Sequence, residues 1–419
     1  MATDHLPLQV GTRLLHIGPH KTGTTAIQSA FHLARERLAL HGVVYPGTGR
    51  QPLRSILAVT SQPALRGESR PRMAHWDHLV REVRAADDQR VVVSSEFFAE
   101  ADEAAVRRVI DDLGGSLVHV VVTLRPLFRI MPSQWQQYMQ NGYCMPYLDW
   151  LEGILSDPPR TPTPGFWRRH RHDELITRWM TAVGRQNLTV VVVDESDRLM
   201  LLRTFESMLG LPAGFLIPEE NAANRSLTLA EAEVVRQLNE EFTRQDWPTA
   251  NYARFMRYGA VRHMKIRQPA ADELKIVTPA WALQRATEIG AEMARNISAL
   301  GVRVIGDLPA LGQPPGSEPL LPADDGPGGP LIPAEVAVRA VAGAFIAGGV
   351  ASPASAEAPP AEPSPPLQQA PPPPPPDLPR PDPWRPAHRA PREVDAKGLT
   401  GVLGRLRRQR ARRLQRLSR

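Results

Sequence analysis

The stretch Ile-Gly-Pro-His-Lys-Thr-Gly-Thr-Thr-Ala-Ile-Gln, residues 17–28, leaves this chain few ways to fold. Before it, residues 14–17 read as a short buried strand. After it, Ala26, Ile27, Ala30, Phe31, Ala34 and Leu38 recur at helical spacing on one face. A strand entering a helix through a glycine-bearing turn aims free backbone N–H groups and the positive end of the helix dipole at one point, which suits an anion. Gly18 and Gly23 keep the glycine spacing of nucleoside-triphosphate loops, but Thr24 stands where those loops carry lysine, and Lys21 lies inside the turn. The displaced lysine predicts a different anionic ligand.

Further along, strand-like and helical stretches alternate, which predicts an α/β fold with a mostly parallel central sheet and helices on both faces. Runs at 14–17, 90–94, 117–124 and 188–193 are the candidate strands, most of them β-branched as buried parallel strands are. Asp102 is placed to cap a helix ending at Gly114, and another helix ends at Gly184. Thr228 and Glu231 form a capping-box pattern, and Thr278-Pro279 opens a helix that stops at Gly301.

The chain has 419 residues, and this pattern covers about residues 10–308, enough for one large α/β domain. Residues 309–395 are rich in proline, alanine and glycine, and the expectation is a disordered or polyproline-II spacer. Residues 396–419 form an Arg-rich tail with Leu399, Leu403, Leu406, Leu414 and Leu417 on one helical face, suited to an anionic membrane surface or an acidic partner. Its eight arginines exceed the whole net charge of +6, so the rest of the chain is slightly acidic and no specific nucleic-acid partner is expected. One cysteine, Cys144, allows no intrachain disulfide. With no apolar leader and no long apolar run, the expected location is cytoplasmic, with membrane contact peripheral and through the tail.

Two further motifs follow the loop in order. Arg125 sits at the end of a predicted parallel strand, where such sheets bind ligands, and Ser133 follows Pro132 ahead of a helical stretch that it could cap. Ser94-Ser95-Glu96 ends another strand with a carboxylate at the same crevice.

Together these resemble the sulfotransferases that use 3′-phosphoadenosine 5′-phosphosulfate, whose loop reads Pro-x-Lys-x-Gly-Thr-Thr or close to it, as Pro19-His20-Lys21-Thr22-Gly23-Thr24-Thr25 does here. The resemblance implies a P-loop-like sulfotransferase fold. It implies that the loop from Pro19 through Thr22, Gly23, Thr24 and Thr25 wraps the phosphosulfate, with Lys21 near the bridging oxygen. Arg125 and Ser133, eight residues apart, would grip the 3′-phosphate. Sulfonate would pass to a hydroxyl, or an amine, of a carbohydrate-containing or small-molecule acceptor, a glycolipid included. Glu96 is the leading general base and His20 its rival, since an acceptor hydroxyl must lose its proton in the transition state. No metal enters this scheme. The alternatives are a nucleotide-dependent kinase with a degenerate loop and a non-catalytic nucleotide-binding scaffold.

Weaker signals read more plainly. Residues 170–174, His-Arg-His-Asp-Glu, are expected as a solvated helix start rather than a metal site, because adjacent arginines oppose a cation. Arg254, Arg257, Arg262, Lys265 and Arg267 are either a solvated face or a surface for the donor phosphates or an acidic acceptor. At least half of Trp135, Tyr138, Tyr147, Trp150 and Trp167 are expected in the core. Residues 47–88 and 143–172 match no motif and are expected to shape the acceptor site.

Overall fold

Six parallel strands build the centre of the molecule in the order β2-β3-β1-β4-β5-β6. They are β1 (Arg13–His16), β2 (Val43–Val44), β3 (Arg90–Ser94), β4 (Val118–Leu124), β5 (Leu188–Val192) and β6 (Arg303–Ile305). The structure is a computed structural model that describes residues 7–64, 70–160, 163, 165–219, 225–314 and 332–349. The four predicted strands lie within a residue of their expected bounds. The two extra strands are edge strands of two and three residues, too short to carry a period.

Side-chain alternation along the strands divides the apolar residues between the two faces. Leu15, Val93, Val120 and Val190 face a core completed by the helices Glu103–Leu113, His172–Val183 and Ala280–Ala299. Leu14, Val92, Val121 and Val191 face the helices Thr24–Ala39 and Met200–Leu209. The sheet is therefore buried on both sides, which is why its strands read as continuous apolar runs.

Helix ends follow the local chemistry. Asp102 Oδ1 accepts from Ala105 N at 2.7 Å to start the helix Glu103–Leu113, and Gly114 at φ 123° ends it. Thr228 and Glu231 exchange bonds at the start of Leu229–Arg244, with Glu231 N donating to Thr228 Oγ1 at 3.3 Å and Thr228 N to Glu231 Oε2 at 2.9 Å. Thr278 does not cap its helix; its hydroxyl meets Tyr147 Oη at 2.8 Å instead.

A second apolar core lies away from the sheet, among the helices Leu127–Gln140, Tyr147–Leu155, Leu229–Arg244, Ala280–Ala299 and Ala334–Gly348. Trp135, Tyr147 and Trp150 are buried in it, while Tyr138 and Trp167 are partly buried against it. The last helix corrects the expectation of a spacer beginning at 309. Residues 308–312 form a 3-10 turn, and Ala334–Gly348 folds as a helix that buries Val336, Ala340 and Gly343. That helix packs on a π-helical stretch, Ala253–Val261, at a contact where glycines meet. A Cβ on Gly343 would come within 2.5 Å of Gly259 O. Alanine and glycine content reads as low burial potential in a sequence, yet here it permits close helix contact. Residues 315–331 and 350–395 of the spacer and the whole Arg-rich tail lie outside the described residues.

Candidate active site

Between β1 and the helix Thr24–Ala39, the loop turns on residues held at positive φ: Gly18 at 74°, Lys21 at 67° and Gly23 at 91°. Gly18 has no space for a side chain, since a Cβ there would come within 2.9 Å of Glu96 Cα. Gly23 has none either, with Leu201 Cδ1 at 2.5 Å from that position. Lys21 alone among the three carries a side chain into left-handed backbone, a cost that functional loops commonly bear.

Beneath the loop, the strand ends are joined by a buried chain of polar side chains. His16 Nδ1 lies 2.8 Å from Ser94 Oγ, and its Nε2 lies 3.1 Å from Thr123 Oγ1. Thr123 Oγ1 is 2.7 Å from Thr22 Oγ1, and Thr22 donates to Pro19 O at 2.7 Å. Thr123 N also donates to Gly18 O at 2.8 Å. Burial holds His16 neutral, its pKa lowered to about 3. β1, β3 and β4 are thus tied to the loop by uncharged hydrogen bonds. Thr22 serves this chain from a fully buried position.

Above the loop opens a cleft of about 720 Å³ at the C-terminal ends of the strands, where open parallel sheets bind ligands. Lys21, Gly23, Thr25, Glu96, Arg125 and Ser133 all line it. The N-terminus of the helix Thr24–Ala39 has no side-chain cap, so its first N–H groups are free to meet an anion. Lys21 Nζ has no hydrogen-bond or ion-pair partner among the described residues. Burial first, then the charge of Lys265, lower its pKa to about 8, against a raising effect of Glu96 that exceeds the further lowering by Arg125.

Arg125, just past β4, reaches the Lys21 carbonyl at 3.5 Å. Its Nε donates to Glu195, whose other carboxylate oxygen lies 3.4 Å from Arg129 Nε. A carboxylate therefore straddles two guanidiniums at the crevice. Glu96 follows β3 at the start of a 3-10 turn and accepts from Gln28 Nε2 at 2.8 Å.

Ser133 lies inside the helix Leu127–Gln140, which begins after Pro126, and so it does not cap a helix start. Pro132 is accommodated within that helix, and Ser133 Oγ donates back to Ile130 O at 3.0 Å. The helix starts earlier than proline suggested because the apolar face Leu127, Phe128 and Met131 is buried in the second core. Helical geometry still sets Ser133 on the cleft wall, with Gln137 and Gln140 one and two turns further on.

His20 does not line this cleft. It is 3% exposed, its ring stands edge-on to Phe97 at 4.8 Å, and burial first, then Arg169, His170 and Lys21, push its pKa well below the ordinary value. Residues 170–173 are not the solvated start expected of them either. His170, His172 and Asp173 are all buried. Among the described residues, no group of three or more His, Cys, Asp or Glu side chains could hold a metal ion.

The basic stretch near residue 260 divides. Arg267 is buried in ion pairs with Glu231, at 2.9 Å, and Glu273. Arg257 and Lys265 line the cleft opposite the loop. Burial and the nearby Arg225 lower the Lys265 pKa, and no ion pair within the described residues compensates its charge. The sequence offers Lys265 only as one of five basic residues, on a solvated face or a phosphate surface, and does not separate it from the others because its wall combines a π-helix with a short α-helix, Arg262–Ile266.

No helix among the described residues is long and apolar enough to cross a membrane. No family model matches the sequence, and no curated protein does. Among solved structures, the chain is similar to a sulfotransferase from Alicyclobacillus acidocaldarius at 14% identity, covering 57% of this chain and 94% of that one, with a TM-score of 0.36. So slight an overlap carries no argument about this chain.

Proposed function

We propose that this protein is a sulfotransferase that moves a sulfonate group from 3′-phosphoadenosine 5′-phosphosulfate to a hydroxyl, or an amine, of a carbohydrate-containing or small-molecule acceptor. The observation that carries the reading is the cleft itself, which gathers Lys21, Arg125 and Lys265 around an uncapped helix N-terminus while the two ammonium groups lack partners among the described residues. Uncompensated cations in a partly desolvated crevice favour a ligand with more than one anionic group.

In this reading Thr24, Thr25 and the loop N–H groups hold the phosphosulfate, and Arg125 with Ser133 holds the 3′-phosphate. Glu96 takes the proton of the acceptor hydroxyl as its oxygen attacks sulfur. The bond from sulfur to the bridging phosphate oxygen breaks, and Lys21 stabilises the charge left on that oxygen. Gln28 orients Glu96 through its amide, fixing which carboxylate oxygen is free.

Calorimetry with 3′-phosphoadenosine 5′-phosphate and with Mg-ATP tests the reading. The expected result is tight binding of the bisphosphate without metal, weakened at least tenfold in Arg125→Ala, and weak binding of Mg-ATP. Preference for Mg-ATP would support a kinase instead. Binding without turnover across an acceptor panel would support a scaffold.

A further inference from the structure

Exposed apolar side chains are not spread evenly over this protein. Among the described residues, seven of the sixteen large ones lie on two adjoining stretches, 247–266 and 332–349. Helix Ala334–Gly348 carries the sharpest case. Its inner side buries Val336, Ala340 and Gly343, yet Val338, Val341 and Phe345 stand 64%, 52% and 55% exposed on a second stripe. Glu335 and Arg339, in its first two turns, are its only charged residues. Apolar residues scattered singly over a surface need no explanation, but a continuous ridge of them does.

The ridge has different neighbours on its two sides. On one runs an apolar groove of about 590 Å³, lined by Ala337, Val341 and Ala344 and by Phe242, Trp247 and Phe255. On the other, Arg254, Tyr258, Arg262 and Ile266 recur every fourth residue along the π-helical wall and its continuation, and all four are exposed. Arg254 Nε donates to Ala347 O at 2.5 Å, which fixes that stripe beside the ridge. Tyr258 also lines the cleft, so the border of the ridge and the rim of the cleft share a residue. Residues 247–266 and 332–349 together carry five cations and one acid.

From this arrangement we propose that the face built on helix Ala334–Gly348 docks on an anionic lipid bilayer. Val338, Val341 and Phe345 enter the headgroup layer, and Arg254 and Arg262 meet lipid phosphates. Each part of the surface suits that occupant. A helix lying on a bilayer buries an apolar face at the acyl boundary while flanking arginines attract anionic headgroups. Trp247 and Tyr258, both about half exposed, are amphipathic rings of the kind that settle at headgroup depth. A second copy of the chain suits the face poorly, because a self-complementary interface sets these cations against their equivalents. A small apolar ligand in the groove would leave Val338 and Phe345 in water, since neither lines it. Docking through this face brings the mouth of the cleft to the headgroups. The proposal adds to the sulfotransferase reading without depending on it.

Vesicle co-sedimentation of the full chain tests the proposal, with phosphatidylcholine vesicles and with vesicles holding about 30% phosphatidylglycerol. Binding to the anionic vesicles is expected to be at least tenfold stronger than to the neutral ones. Because the Arg-rich tail is also expected at such surfaces, every variant keeps it. Val341→Glu with Phe345→Glu should weaken binding to anionic vesicles at least tenfold. Arg254→Gln with Arg262→Gln should weaken it at least threefold, and an unchanged urea midpoint reports that each pair is folded. Phe345→Cys in a Cys144→Ser background, labelled with an environment-sensitive fluorophore, should brighten on anionic vesicles. Full binding by both variant pairs would overturn the proposal and leave the tail as the anchor. Equal binding to neutral and anionic vesicles would overturn it as well. So would no vesicle binding by a wild type that sediments as a dimer and is dissociated by Phe345→Glu, which would make the ridge an interface between copies.

Discussion

Lys21 is held at a proton affinity where modest changes of pH alter its charge. Its pKa of about 8 lies below the ordinary lysine value, so the free protein loses that positive charge as pH rises through about 8. An anionic ligand favours the protonated form. Affinity for 3′-phosphoadenosine 5′-phosphate should therefore be full below pH 7 and fall up to about tenfold per unit above 8, measured by calorimetry across pH 6.5–9.5. Lys21→Arg, which keeps its charge through this range, should flatten that fall. Lys21→Ala is expected to lower turnover by roughly a hundredfold or more, the usual effect of removing a group aimed at developing charge. Glu195 makes the opposite prediction. Its carboxylate occupies the forks of Arg125 and Arg129, so a phosphate arriving there must displace it. Glu195→Gln should tighten bisphosphate binding about threefold to tenfold and reduce the sensitivity of Kd to that competing charge, whereas unchanged binding would place the 3′-phosphate elsewhere.

Among the secondary-structure elements, the loop tolerates least change. Gly18→Ala must displace the Glu96 backbone as well as adopt a positive φ, so it should move the proposed base and the phosphate cradle together. Bisphosphate affinity and turnover are both expected to fall at least tenfold, read by calorimetry and a donor-turnover assay. Thr228→Ala should remove one half of the capping box and cost about 1 kcal/mol in urea unfolding. These features were legible in the sequence because each depends on residues close together in the chain. Glycine spacing, Asp102 before a helix, and Thr228 three residues before Glu231 all declare themselves locally. The neighbours of Arg125 and Lys21 do not. Glu195 reaches Arg125 from beyond β5, and Lys265 faces the loop from the short helix Arg262–Ile266, some 240 residues away in sequence. Ser133 was located by its spacing from Arg125 but given the wrong local role, since burial of Leu127 and Met131 carries the helix through Pro132. His20 and the groups around His170 were equally hidden, because only the tertiary fold removes them from water.

Among the described residues, two sets of apolar contacts share the work. The first, on both faces of the sheet, holds the strands and thereby the loop; the second holds the helices that form the opposite cleft wall. Helix Ala334–Gly348 belongs to the second, and it closes upon the π-helix where Gly259 and Gly343 leave no volume for a methyl group. Gly343→Ala should therefore cost about 1–3 kcal/mol in chemical unfolding, the range for forcing an added methyl into a tight contact. Arg257 and Tyr258, on the turn before Gly259, line the cleft, so the same substitution should also weaken bisphosphate binding. A shortened chain ending near residue 312 would look, from composition alone, like a harmless trim of loose sequence. It would in fact strip one buttress from the wall that carries Arg257, leaving the loop intact and facing a surface held only by its remaining apolar contacts.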